Sequence, residues 1–185
     1  SIDGPVFVDK NPDPAVIEFD LEAVVTKVEY LPGSMTAAWA YNGTVPGPRL
    51  DARVGDRVII HFRNSLPEPT TIHWHGLRIP AEMDGTVAMQ VPIQPGGTYD
   101  YDFVLRDAGT FWYHPHVRSD VQVERGLYGV IVVRGDDEPP AAAEHVMVLD
   151  DVFLHDDGTF APDSAATAML GRQGNVILAN GRPRP

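Results

Sequence analysis

The sequence predicts an all-β fold, an antiparallel sandwich or barrel built from short strands. Three observations carry this. Apolar residues recur at every second position in several separate stretches, the period of a strand with one buried face. Gly/Pro turn signals bound these stretches: "LPGS", "VPGP", "RVGD", "QPGG" and "RDAGT". Helical periodicity is almost absent, and many short strands between such turns indicate a sandwich or barrel.

The elements follow in order. Ile17, Phe19, Leu21, Ala23 and Val25 alternate with Glu18, Asp20 and Glu22, which gives a first strand with a buried face. Val58, Ile60 and Phe62 interleave with Ile59, His61 and Arg63 in the same way. Tyr99, Tyr101, Phe103 and Leu105 alternate with Asp100 and Asp102, and the apolar run Leu127 to Val133 reads as a fully buried strand. Near Arg134 the texture changes to "GDDEPPAAAE", a polar, Pro- and Ala-rich linker. Beyond it, "HVMVLDDVFL" and "GNVILANGRP" read as strands around a looser stretch, 156–174. So short a tail cannot close a sandwich of its own. Residues 1–135 are therefore read as one domain, and 136–185 as a linker and the first strands of an incomplete second one. The alternative is a tail that packs back onto the first domain.

The composition limits the function. With 185 residues the chain can form one well-buried domain and part of another. Lys and Arg number 14 against 26 Asp and Glu, a net charge of −12, which disfavours nucleic acid and anionic membranes as partners. No run approaches the ~18 apolar residues of a membrane span. Ser1–Gly4 lacks the basic start and apolar stretch of a leader. Cysteine is absent, so neither a disulfide nor a thiolate metal ligand arises here.

The chemistry lies in two short stretches, "TTIHWHGL" (70–77) and "TFWYHPHV" (110–117). Residues i and i+2 of a strand share a face and lie ~6.5 Å apart. His73 and His75 thus project together, as do His114 and His116. Pro115 has no N–H for a ladder, so the second pair should sit where a strand runs out. Imidazole is a common ligand for copper, zinc, iron and nickel. Two pairs suit a cluster of ions, while four histidines could also hold a single zinc or copper ion.

These residues resemble the amino-terminal cupredoxin domain of the laccase-like multicopper oxidases. The resemblance extends to "NGTVPGPRLDARVGDRVIIHFRNSL", "DGT", "PIQPGGTYDYDF" and "ERGLYGVIVV", and "VMVLDDVFLHDDG" with "GNVILANGRP" resembles the entry into a second domain. It implies a cupredoxin-like Greek-key sandwich or barrel and an oxidase that couples one-electron oxidation of substrates to reduction of O2 to water. His73 would bind the type 2 copper, and His75, His114 and His116 the type 3 pair. The other half of the trinuclear ligands, with the cysteine-bound type 1 copper, would come from the remaining domains of the same polypeptide or from another subunit. The chain alone should be inactive. Asp84, in "EMDG", matches an acid that relays protons in bacterial members; its structural alternative is a turn aspartate before Gly85. The family also implies a periplasmic or extracellular location. The rival readings are a non-catalytic copper-binding or storage module and a mononuclear, hydrolase-like zinc or copper site.

Other features are read structurally. His61 lies on the outer face of a strand, His145 and His155 lack a partner motif, and Trp74 and Trp112 are packing that fixes ligand rotamers. Asp150, Asp151, Asp156 and Asp157 lack calcium-loop spacing and are taken as strand-end and turn residues. Met83 and Met89 are too few for a soft-metal stretch.

Overall fold

A computed structural model of the chain describes residues 4–139, 141–162 and 164–183; Pro140 of the linker lies outside them. Its strands are β1 (Val16–Leu31), β2 (Ser34–Tyr41), β3 (Leu50–Arg53), β4 (Arg57–Asn64), β5 (His73–His75), β6 (Thr98–Val104), β7 (Gly109–His114), β8 (Gly129–Arg134), β9 (Leu149–Val152), β10 (Val176–Ala179) and β11 (Arg182–Pro183). Two six-residue helices, α1 (Ser119–Glu124) and α2 (Ala165–Leu170), and a 3₁₀ turn at Ala81–Met83 complete the description.

Two four-stranded sheets, β2-β1-β4-β6 and β3-β8-β7-β5, enclose the main core. The chain crosses between them at every step from β2 to β7, so few neighbours are joined by hairpins. The expectation of purely antiparallel pairing is thereby corrected. β1 runs parallel to β4, and β3 parallel to β8. Parallel neighbours require a crossover connection, and the alternation between sheets supplies it.

β1 is longer than its sequence pattern, and its covered face changes along its length. Phe19, Leu21 and Ala23 enter the main core, while Val28, Tyr30 and Leu31 belong to a second cluster with Ala38, Val152, Leu154 and Leu178. Val25, expected on the buried face, is exposed as a result. The second cluster lies under the tail sheet, β11-β10-β9. β2 is covered on both sides: Trp39 and Tyr41 face the main core, and Ala38 faces the tail. The Thr36 hydroxyl donates to Gly158 O at 2.8 Å, and Tyr128 OH to Asp150 Oδ2 at 2.5 Å. Asp150, read from the sequence as a strand-end residue, lies near the start of β9 and is half-buried at the junction. Its carboxyl is raised above the usual carboxylate range chiefly by burial.

Candidate metal centre

The site lies at the edge of the second sheet, where β5 pairs antiparallel with β7. His73 stands opposite His114, Trp74 opposite Tyr113 and His75 opposite Trp112. The period of two sends Trp74 and Tyr113 into the core, where the Trp74 ring meets Tyr101 and Tyr113 at centroid distances of 5.3 and 5.7 Å. The same period leaves His73, His75, Trp112 and His114 on the opposite face. Gly129 lies across from Tyr113 because a Cβ there would come within 2.2 Å of the tyrosine ring.

The four paired histidines converge. Ring centroids of His73 lie 5.3 Å from His75, 5.4 Å from His114 and 4.3 Å from His116. One nitrogen from each of His73, His114 and His116 falls within 4.8 Å of the others. His75 joins through Nδ1, which lies 3.2 Å from His114 Nε2. Among the described residues no other group of three or more His, Asp or Glu side chains converges this way. His61, His145 and His155 stay outside it. Trp112 stacks on His114, centroids 3.9 Å apart, and so restrains its rotamer.

Hydrogen bonds fix which nitrogen is free. His73 Nδ1 lies 2.8 Å from the Asp84 carbonyl, and His114 Nδ1 lies 2.9 Å from the Pro115 carbonyl. A carbonyl only accepts, so each Nδ1 carries the proton and each Nε2 keeps its lone pair for a metal. His114 is buried, and burial above all, reinforced by its histidine neighbours, pushes its imidazole down to about 4 despite the opposing bond to Pro115. The His116 imidazole is lowered by burial and by His73, with Asp84 opposing. Both are neutral at pH 7, the form in which imidazole binds a metal.

The Asp84 carboxylate Oδ1 lies 3.3 Å from His73 Nδ1. It is brought there by Gly85, whose φ of +76° suits glycine. A Cβ at Gly85 would fall 1.8 Å from Ile72 O, so only glycine lets this loop lie against β5. Sequence reasoning did not single out three supporting residues: Thr71, Tyr101 and Gln122. Thr71 had a legible signal, since it shares strand parity with His73 and His75. Gln122, fully buried in α1, had none.

The donor set fits copper held by nitrogen, and the lack of any thiolate excludes a type 1 site from these residues. Comparisons with known proteins agree. The sequence model of the family described as multicopper oxidase matches residues 23–138. A multicopper oxidase of Mycobacterium tuberculosis is 41% identical over 122 residues, 65% of this chain and 24% of that protein. Copper resistance protein A of Escherichia coli is 40% identical over 137 residues, 72% of this chain and 22% of its own length. The chain thus spans about a quarter of the length of these relatives. The crystal structure of a multi-copper oxidase from Pseudomonas thermotolerans matches with a TM-score of 0.88 at 41% identity, over 92% of this chain and 42% of that one. Family model, relatives and fold converge, and the chain belongs to the multicopper oxidase family, of which it carries a cupredoxin-like domain.

Proposed function

We propose that this chain supplies half of a trinuclear copper centre in an oxidase that couples one-electron oxidation of substrates to four-electron reduction of O2 to water. The observation that carries the reading is the convergence of two His-x-His pairs on one sheet edge, without sulfur. His73 serves the type 2 copper, and His75, His114 and His116 serve the type 3 pair. Bound copper supplies the redox chemistry; the protein supplies neutral ligands, their orientation and a route for protons. Asp84 holds and passes protons beside His73, which four-proton reduction of O2 requires.

The remaining ligands and the type 1 copper come from other domains of the same polypeptide or from another subunit, and this chain alone does not turn over. Residues 136–185 are the linker and opening strands of a second domain, resting on the first. A periplasmic or extracellular location fits the family. No helix of the described residues is long and apolar enough to cross a membrane.

Copper titration followed by electron paramagnetic resonance tests the reading. The chain should bind Cu(II) with nitrogen hyperfine structure and no blue band. His114→Ala should weaken binding by at least the roughly 10- to 100-fold that even outer partners of metal ligands contribute. In the full-length protein, oxygen uptake with a one-electron donor should require all four histidines. Copper binding with no oxygen uptake there would favour a storage module, and absence of copper binding would overturn both readings.

A further inference from the structure

His116 is the one proposed ligand that no regular strand holds. β7 ends at His114, and Pro115 has no N–H to continue the ladder with the segment before β5. Extending the register of β5 and β7 sets Pro115 opposite Ile72 and His116 opposite Thr71. Where the ladder fails, side-chain hydroxyls take over two backbone donors. Ile72 N–H donates to Tyr101 OH at 2.9 Å, and His116 N–H donates to Thr71 Oγ1 at 3.2 Å. Both hydroxyl-bearing residues are fully buried.

Thr71 is itself firmly held. Thr70 exchanges backbone hydrogen bonds with Ile93 at 3.1 and 2.8 Å, and its hydroxyl donates to Gln122 Oε1 at 2.8 Å. Gln122 Nε2 donates in turn to Pro69 O at 2.9 Å and Glu68 Oε1 at 3.2 Å. Arg118, two residues beyond His116, donates to Glu68 Oε2 at 2.8 Å. The segment that follows His116 is therefore clasped to the segment that precedes His73, across some fifty residues of sequence.

We infer that Thr71 is a positioning residue for His116, and that Gln122, acting through Thr70, secures the segment from which Thr71 reaches it. The inference rests on the copper reading above, which gives His116 its role as a ligand. Without the Thr71 hydroxyl a part-buried N–H loses its acceptor, and the imidazole loses its fixed distance from the other three.

Thr71→Val removes the acceptor at nearly constant shape, and Thr71→Ser restores it. Amide hydrogen exchange, read by NMR on the metal-free chain, should accelerate about tenfold at His116 in the valine variant and return towards wild type in the serine variant. Amides of β4 should be unchanged. Cu(II) affinity, measured by competition, should fall about fivefold to tenfold in Thr71→Val and recover in Thr71→Ser. If the valine variant fails to fold, Gln122→Met leaves Thr71 in place and should still raise exchange at His116. Unchanged exchange at His116 in Thr71→Val, or in Gln122→Met where the first is unfolded, overturns the inference. Exchange needs no metal, so a wild-type chain that binds no copper sinks the copper reading separately.

Discussion

Asp84 meets His73 through two different atoms. Its backbone carbonyl takes the Nδ1 proton at 2.8 Å, and its carboxylate lies 3.3 Å from the same nitrogen. The first contact orients a proposed ligand and survives any side-chain change; the second is the one the proposed proton relay would use. Asp84→Asn should therefore keep copper affinity within about twofold while slowing oxygen uptake by the full-length protein by more than about tenfold, as loss of a general acid–base group does. Equal losses in both measurements would assign the carboxylate to holding His73 instead. The first histidine pair was legible because i and i+2 share a strand face, and the second because it repeats the motif at a proline where the strand ends. The nearness of Asp84 was not derivable from local pattern, since it depends on Gly85 letting a distant loop lie on Ile72. Thr71 shares the strand parity of His73 and His75, but its value as an acceptor appears only once Pro115 has stopped the ladder.

Among elements, the outer face of β1, β4 and β6 shows how a strand pattern turns into cross-strand chemistry. His61 on β4 lies 2.9 Å from Glu18 on β1 and 2.8 Å from Asp100 on β6, and Arg57 pairs with Asp102 beside it. The bond to Glu18, then that to Asp100, raises the His61 imidazole, and the bond to His61, then that to Asn11, lowers Glu18. A raised histidine contributes stability that is complete below its unfolded value of 6.5 and fades as pH climbs through the folded one. Glu18 contributes above its unfolded value of 4.5 and loses that contribution as pH falls through its lowered one. Thermal midpoints measured from pH 5 to 9 should thus show a decline above 6.5 that His61→Gln removes, small because the site is exposed. An identical slope in the variant would place the decline elsewhere. Elements with one covered face, such as β4 and β6, were readable from alternation. β2 was not, because the core and the tail cover both of its sides and "TAAWAY" carries no period of two. The six-residue helices are too short for a 3.6-residue period to repeat.

At the scale of the whole molecule, sandwich and tail share buried surface. Tyr30 and Ala38 from the first sheet enclose Leu178, Val152 and Leu154 from the tail, and an ion pair between Arg172 and Glu124 ties the tail to α1. Leu178→Ala should cost about 2–5 kcal/mol, as buried leucine truncations do, and calorimetry should still show one transition. A separate low-temperature transition would mark the tail as an independent unit. The composition break at Arg134 was visible in the sequence. Which face of β1 the tail covers was not, since Val28 and Tyr30 look like a continuing strand until the second sheet is placed over them. The stack of Trp112 on His114 has a consequence of another kind. Trp39 and Trp74 emit from the core, whereas Trp112 is 38% exposed and lies against a proposed ligand. If His114 holds a paramagnetic ion as proposed, that ion should quench the Trp112 indole stacked on it, so indole emission should fall as copper is added.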